Sequence, residues 1–307
     1  MEQDIKSFAP VLIPTLNRYE HLRRCIESLA NCTHAKETEL IIGLDYPPSE
    51  KYEGGWKKIC EYLPTVTGFK KVTIINREKN LGAVGNMNAL IDYSNRLYDR
   101  YIFTEDDNEF SPCFLDFMNK GLEYYKDNPK VLSISGFNQY HVANKQILFT
   151  YDNSAWGWGR WRDKYSPCNA DTKNAVSSVK TVLKMFHYYP ALLNSTVRAL
   201  KNDRSNGDAN MSCYSIAHDC YQLRPIVSLV RNWGHDGSGE HCGFSGTFVN
   251  MDLSKQETFS FKPTEPKRTK EIDSLVRNNM MPKTWKRYVR FKVCVLYDAL
   301  SYCLRSK

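Results

Sequence analysis

The 307-residue sequence has no continuous apolar stretch that approaches the roughly twenty residues of a membrane-spanning helix. Its ten cysteines are irregularly spaced and include no CxxC pair. The sequence begins with polar and acidic residues rather than with a signal peptide. Low-complexity linkers and internal repeats are also missing. These absences predict a cytoplasmic protein with reduced thiols, either soluble or peripheral at the inner face of the cell membrane.

The formal net charge of +8 is compatible with nucleic acid, anionic lipid or a phosphorylated substrate as a partner. The acids lie in interior motifs, whereas the bases gather toward the C-terminus. There, apolar residues recur at helical spacing from Trp285 to Leu304, with bases interspersed between Lys283 and Lys292. Such a helix either lies on an anionic membrane surface or packs its apolar stripe on the protein's own core.

Strand and helix patterns alternate along the first half of the chain. Buried strands are predicted over residues 9–16, 39–44, 71–76 and 101–104, and helices over residues 18–30 and 84–98. Alternation of this kind predicts an α/β fold with a mostly parallel central sheet and helices on both faces. Ligands of such sheets bind beyond the carboxyl ends of the strands, which is where the polar residues fall.

The pattern continues with a helix from Pro112 to about residue 127 and a strand over residues 131–136, after which the sequence becomes aromatic and rich in loops. We divide the chain into an α/β subregion at 1–136, a second subregion of the same domain at 137–260, and a basic tail with an amphipathic helix at 261–307.

Three consecutive acids, Glu105, Asp106 and Asp107, directly follow the predicted strand 101–104. Crowded carboxylates repel one another unless a cation neutralises them, so a divalent metal would remove an electrostatic cost here. The alternative is a solvated turn, because Asp and Asn are turn residues in their own right.

The ordered set of motifs resembles that of GT-A-fold glycosyltransferases of family 2, with a motif order similar to N-acetylglucosaminyltransferase I. The motifs are Thr15-Leu16-Asn17-Arg18, Gly43-Leu44-Asp45, Glu105-Asp106-Asp107, His218-Asp219 and the segment from Arg231 to His241. The resemblance implies a Rossmann-like nucleotide-diphospho-sugar transferase fold and a nucleotide-sugar donor, most simply a UDP-sugar. It also implies that residues 1–136 form the nucleotide-sugar-binding subregion and residues 137–260 the acceptor-binding and catalytic subregion.

The resemblance also implies roles for individual residues. Asp107 is expected to ligate Mn²⁺ or Mg²⁺, and His241 to reach the diphosphate or the metal. The residues expected to bind the donor are Thr15, Arg18, Asp45, Asn86, Glu105 and Asp106. For Arg18 and Asp45 the alternatives are a helix-start arginine and a turn aspartate, and for His241 a solvated loop histidine.

The resemblance places Asp219 as the base that deprotonates the acceptor hydroxyl, which implies inversion at the anomeric carbon. We predict that Asp219 lies within a helix over residues 214–223, where apolar neighbours raise its pKa. A surface helix aspartate is the alternative. Gly237, Ser238 and Gly239 are expected in a mobile flap, and Trp156, Trp158 and His218 at the acceptor, although at least one tryptophan is expected to pack beside the sheet.

Together these features predict a metal-dependent, inverting glycosyltransferase that acts on a saccharide or lipid-linked acceptor in bacterial surface polysaccharide biosynthesis. A nucleotidyltransferase that makes activated sugars also uses a parallel sheet and acidic residues, but it carries a Gly-rich basic phosphate loop that residues 14–18 lack. A basic nucleic-acid-binding protein is a third possibility, and no recognisable nucleic-acid module supports it.

Overall fold

A computed structural model describes residues 5, 7–140, 142, 145–165, 172–202, 207–237 and 246–305. The first half of the fold contains β1 Val11–Thr15, α1 Tyr19–Ala30, β2 Glu39–Leu44, α2 Glu50–Tyr62, β3 Lys71–Asn76, α3 Gly82–Leu97, β4 Arg100–Phe103, β5 Asn108–Phe110, α4 Phe114–Tyr124 and β6 Val131–Ser135. Short 3-10 helices lie at Ala35–Glu37 and Leu63–Thr65.

The second half is more helical. It contains β7 Ile147–Thr150, β8 Trp158–Trp161, α5 Arg162–Tyr165, α6 Thr172–Val176, α7 Val179–Tyr188, α8 Pro190–Lys201, α9 Gly207–His218, β9 Tyr221–Pro225, β10 Val230–Asn232, α10 Gly246–Val249, α11 Lys270–Asn278 and α12 Trp285–Arg305.

The described part of the chain forms an eight-stranded sheet in the order β3-β2-β1-β4-β8-β6-β9-β7. Among the strands that the structure describes, only β8 and β7 run antiparallel to their neighbours in this sheet. Strands β1, β2, β4 and β6 are nearly all buried, which matches their uninterrupted apolar sequences and the helices that cover a parallel sheet. The predicted α/β fold class with a mostly parallel sheet is confirmed.

The register defines which residues lie at which edge of the sheet. Trp158 pairs with both Phe103 of β4 and Ser135 of β6, so the carboxyl ends of β4 and β6 lie at the same level. At the other end of β6, Val131 pairs with Tyr221, the first residue of β9. The two levels are four residues apart along β6, or about 13 Å of extended strand.

A second, two-stranded sheet lies beyond the carboxyl end of β4. Strand β5 pairs antiparallel with β10, and Asn108 faces Asn232 in the register. Because β5 follows the acidic triplet without a helix between them, this small sheet brings the segment after Val230 to the acids.

Helix α9 ends at His218, so the predicted helix over residues 214–223 is wrong in its second half. Asp219 has φ +59°, in the left-handed region, and the amide of Cys220 donates to the carbonyl of Ser215 at 3.0 Å. A left-handed residue followed by this six-to-one hydrogen bond is a Schellman helix stop. Strand β9 begins at Tyr221.

Helix α12 packs on α7 and α8 through Val295, Ala299 and Cys303, which are buried. Several of its other apolar residues stay exposed, among them Trp285 and Tyr297 at 76% and 71%. The helix therefore docks on the core along one side and presents a second, partly apolar side outward. Among the described helices, none combines the length and hydropathy that crossing a bilayer requires.

Candidate functional site

The centre of the candidate site is the acid pair Asp106–Asp107, in the turn between β4 and β5. The two side chains are only 8% and 9% exposed. Thr15, the last residue of β1, donates from Oγ1 to Asp106 Oδ2 at 2.8 Å. Because β1 and β4 are parallel neighbours, their carboxyl ends bring these side chains together at one edge of the sheet.

Arg18 bridges the two carboxylates. Its Nη1 atom donates to Asp107 Oδ2 at 2.9 Å, and its Nη2 atom donates to Asp106 Oδ1. Burial lowers the pKa of Arg18, but the two carboxylates outweigh it and raise this pKa above the ordinary value. Burial also raises the pKa of Asp106, with Asp107 adding to the rise and Arg18 and Thr15 opposing it. The guanidinium is the cation that balances the acid pair in this structure.

The segment that leads from β10 to the predicted flap is anchored on the same pair. Asn232 donates from Nδ2 to Asp107 Oδ1 at 2.8 Å, and the amide of Trp233 donates to the Asp107 carbonyl at 2.8 Å. A Cβ added at Gly234 would stand 2.2 Å from Asp107 Oδ2, so only glycine fits there. The Arg24 guanidinium of α1 lies over the Trp233 ring at 4.1 Å and holds the turn against α1.

Residues 238–245 lie outside the described part of the chain. The predictions for Ser238, Gly239 and His241 therefore have no structural counterpart here. Gly237 is described, with φ +90°, a conformation that favours glycine.

Asp45 and Asn86 lie at the same edge but bind protein atoms. Asp45 Oδ1 accepts from the amides of Tyr46 and Leu81, both at 2.9 Å, and so fixes the turn before α3. Asn86, which is 2% exposed, donates to the Gly43 carbonyl at 2.8 Å. Their predicted contacts with the nucleotide-sugar remain predictions. In the structure, Asp45 stabilises the turn before α3 and Asn86 binds the backbone of β2.

Arg77 is a candidate that the sequence reading missed. It directly follows β3, and its Nε atom donates to Asn86 Oδ1 at 3.0 Å. Its Nη2 atom is buried and has no hydrogen-bond partner within the described residues. Burial lowers the pKa of Arg77, while Asp45 opposes this effect. The sequence did contain a signal for this residue. Arg77 directly follows a strand of the parallel sheet, in the same way as Asp45 follows β2.

The two tryptophans predicted to contact the acceptor sugar lie in different environments. Trp156 is half-buried at this edge, and its ring packs against His235, whose Nε2 atom is buried without a hydrogen-bond partner in the described part of the chain. Trp158 is 5% exposed, with Phe103 stacked on its ring and the Arg160 guanidinium 3.8 Å from the ring centroid. This burial does not support sugar stacking by Trp158, which packs in the core as the alternative proposed.

Asp219 and His218 are not brought to the acid pair. Both precede β9 and therefore lie at the amino edge of the sheet, whereas the acid pair follows the carboxyl end of β4. The Tyr151 hydroxyl donates to Asp219 Oδ1, and Lys184 Nζ lies 3.5 Å from the same oxygen. The geometry does not support a base role for Asp219 or an acceptor contact for His218.

The expected rise in the pKa of Asp219 is wrong, whereas its role as a base stays a prediction. Burial does raise this pKa, but the Tyr151 hydroxyl, Lys184 and Arg268 outweigh burial and hold it below its ordinary value. The side chain is 54% exposed, so the apolar surroundings inferred from the sequence are missing. The helix stop places Asp219 among hydrogen-bonding and cationic partners instead.

The acid pair has the chemistry of a divalent cation site. Its carboxylate oxygens are ligands that Mn²⁺ and Mg²⁺ prefer, Arg18 already stands in for a cation, and Gly234 leaves space against Asp107. The described residues contain no group of three or more His, Cys, Asp or Glu that would hold an ion alone. A cation here would take its remaining ligands from a bound diphosphate or water.

Comparisons with known proteins identify the family. The model of Glycosyl transferase family 2 matches residues 11–184, more than half of the chain. No curated protein sequence matches the chain.

Solved structures show weaker similarity. S. aureus TarS is 14% identical, with a TM-score of 0.41 over 72% of this chain and 35% of TarS. The mannosyltransferase PcManGT from Pyrobaculum calidifontis, in complex with GDP-Man and Mn²⁺, is 10% identical, with a TM-score of 0.40 over 70% of this chain and 71% of that one.

TarS residues 1–349 in complex with UDP-GlcNAc are 12% identical, with a TM-score of 0.38 over 80% of this chain and 62% of that one. The chain spans about a third of the length of TarS, and TM-scores this low carry no argument about function. The family match covers β1 to β4 and the acid pair, so the predicted resemblance is confirmed and the chain belongs to glycosyl transferase family 2.

Proposed function

We propose that this chain transfers a sugar from a nucleotide-sugar, a UDP-sugar in the first instance, to a saccharide or lipid-linked acceptor with the help of Mn²⁺ or Mg²⁺. The observation that carries the proposal is the buried acid pair at the carboxyl edge of a family 2 domain. Two adjacent buried carboxylates are costly unless a positive group balances them, and a diphosphate with its cation fits that requirement.

Asp106 and Asp107 would hold the cation. When bound, the cation offsets the negative charge that grows on the departing nucleoside diphosphate. Asn232 and Thr15 orient the carboxylates through hydrogen bonds of 2.8 Å each. Partners of this kind fix the direction of a ligand's lone pairs, so they belong to the same functional unit.

Arginines at the edge would bind the donor. The forked guanidinium of Arg18 suits phosphate oxygens. The Nη2 atom of Arg77, which has no hydrogen-bond partner among the described residues, would add a hydrogen-bond donor at the β3 end of the edge. We also propose that the nucleotide-sugar donor contacts Asp45, Asn86 and Glu105. Asp45 and Asn86 shape the turn and the strand on which the donor would rest.

The acceptor would enter beside the half-buried Trp156 and His235. Their rings pack 5.5 Å apart, and His235 adjoins the glycine that contacts Asp107. An aromatic surface next to polar groups suits the apolar face of a pyranose. Inversion of configuration stays a prediction of the family resemblance, because Asp219 lies at the other edge, and NMR of the product's anomeric proton tests it.

The outward side of α12 would place the enzyme on an anionic membrane, consistent with a lipid-linked acceptor of surface polysaccharide synthesis. Val293 and Leu304 are 63% and 66% exposed on this helix. The exposed bases nearby are Lys283, Lys286, Arg287 and Arg290. A helix with mixed aromatic, aliphatic and basic exposure suits a lipid headgroup interface.

A thermal-shift screen of UDP-, GDP- and TDP-sugars with and without Mn²⁺ tests the proposal. A ligand at a hundred times its dissociation constant stabilises a protein by roughly 2.7 kcal/mol. We expect a shift from UDP-sugars that requires Mn²⁺. Stabilisation by a nucleoside triphosphate with a sugar 1-phosphate would favour a nucleotidyltransferase instead, and steeply salt-dependent binding of DNA or RNA would favour a nucleic-acid-binding protein.

A further inference from the structure

Every carboxylate oxygen of the acid pair accepts a hydrogen bond from a protein group. Thr15 and Arg18 bind the two oxygens of Asp106, and Asn232 and Arg18 bind the two oxygens of Asp107. Of these donors, Arg18 alone carries a charge. A divalent cation that approached these oxygens would meet the guanidinium at close range, where like charges repel.

The side chain of Arg18 is 28% exposed, in contrast to the acids it binds. Arg18 lies at the start of α1, and its guanidinium is attached through a flexible stem. The side chain can therefore leave the acid pair on the solvent side without a change in β1 or α1. Thr15 and Asn232 bind the two other carboxylate oxygens, so they would still hold Asp106 and Asp107 if Arg18 left.

We propose that Arg18 closes the cation site in the absence of donor and opens it by exchanging partners. Arg18 would turn its guanidinium fork to the diphosphate of the donor, and Asp106 and Asp107 would then present the released carboxylate oxygens to the cation. This inference rests on the proposed function. It makes Arg18 a positioning residue that couples two binding events, so the cation and the diphosphate bind together far better than either binds alone.

Coupling of this kind is reciprocal: UDP must strengthen Mn²⁺ binding by the same factor by which Mn²⁺ strengthens UDP binding. Removing the guanidinium removes both the competitor of the cation and the partner of the diphosphate. The proposal therefore differs from a simple contact between Arg18 and the donor. Loss of a simple contact would leave the affinity for Mn²⁺ alone unchanged, whereas the proposal predicts that this affinity rises.

The test measures Mn²⁺ binding to the full chain by electron paramagnetic resonance of the free ion, with and without UDP. The variants are Arg18→Gln and Arg18→Lys. The control is Arg23→Gln, which changes an arginine of α1 whose side chain is 42% exposed and pairs with Glu27 at 3.0 Å. If Arg18→Gln does not fold, Arg18→Lys tests the same point, because the single ammonium group of lysine cannot bridge both carboxylates.

We expect wild type and Arg23→Gln to bind Mn²⁺ at least about tenfold more tightly with UDP than without it, a factor typical of coupled sites. Arg18→Gln should bind Mn²⁺ alone at least about tenfold more tightly than wild type and lose most of the gain from UDP. Arg18→Lys should fall between them.

If the Arg18 variants bind Mn²⁺ alone no more tightly than wild type while UDP and Mn²⁺ still bind together, the exchange is refuted and the proposed function stands. If wild type binds UDP neither with Mn²⁺ nor without it, the proposed function and the exchange fall together.

Discussion

Asn232 donates a hydrogen bond to Asp107 at 2.8 Å across 125 residues of sequence. This hydrogen bond joins the end of β10 to the turn after β4. It thereby fixes the turn that contains Gly234 to the acid pair. Because the same amide also donates to Asn108 Oδ1 at 2.9 Å, both of its hydrogens are used inside the site.

Asn232→Ala should weaken Mn²⁺-dependent UDP binding by about tenfold or more, since groups that orient a metal ligand usually contribute that much to affinity. Titration calorimetry with UDP and Mn²⁺ measures it. The matched control is Asn278→Ala, an exposed asparagine at the end of α11. Equal affinities of the two variants would show that Asn232 has no part in the site.

Gly234→Ala tests the close approach of the turn to the acid pair. The added Cβ would stand 2.2 Å from Asp107 Oδ2, so either the turn or the carboxylate must move. We expect loss of donor binding and a lower melting temperature. Gly54→Ala is the control, because a Cβ there meets open space in helix α2 and alanine stabilises a helix interior by roughly 0.5–1 kcal/mol. Normal UDP binding by Gly234→Ala would contradict the described contact.

Substitutions of Asp219 distinguish between two roles of this residue, the end of helix α9 and the catalytic base. Its φ of +59° is one that glycine adopts without strain. Asp219→Gly should therefore keep both the fold and the transfer rate, whereas Asp219→Ala should cost roughly 1 kcal/mol in unfolding free energy. Denaturant unfolding and single-turnover transfer assays measure the two effects. A folded Asp219→Gly that has lost transfer but still binds UDP would restore the base assignment.

The outward side of α12 predicts binding to anionic vesicles. The triple charge reversal Lys286→Glu, Arg287→Glu and Arg290→Glu should abolish sedimentation with phosphatidylglycerol vesicles, since each base near the surface contributes about 1 kcal/mol. The triple reversal Lys51→Glu, Lys58→Glu and Lys71→Glu alters equally exposed lysines of α2 and β3 and should leave it intact. Equal losses in both variants would indicate an effect of net charge alone.

Local pattern in the sequence predicted most strands and helices of the first half of the fold, although it missed α2. Strands β2 and β3 have the bounds predicted for them, because short apolar runs between turn residues resemble little else. The placement of Thr15, Arg18 and the acid pair at one edge followed from parallel topology. Their mutual partners did not follow: Arg18 binds the two acids in this structure.

The second half was harder to predict, for two physical reasons. Apolar residues continue from α9 through Tyr221 and Leu223 into β9, so periodicity extended the helix past Asp219, where a left-handed residue ends it. Asn232 and Gly234 act through contacts with Asp107, more than 120 residues away in sequence, which no local pattern reveals. Trp158 lies in an aromatic segment for which the sequence left acceptor contact and packing beside the sheet both open, and its pairing with β4 and β6 depends on residues distant in sequence.

The central claim is that the acid pair binds a diphosphate through a divalent cation. Calorimetric titration of UDP into wild type and Asp107→Asn, each in Mn²⁺ and in EDTA, tests it most directly. Asp92→Asn, an exposed acid of α3, is the control. Wild type and Asp92→Asn should bind UDP at least about tenfold more tightly in Mn²⁺ than in EDTA, and Asp107→Asn should show one weak affinity in both while its melting temperature is kept. Equal UDP affinity of wild type in Mn²⁺ and in EDTA, or full metal dependence in Asp107→Asn, would contradict the account.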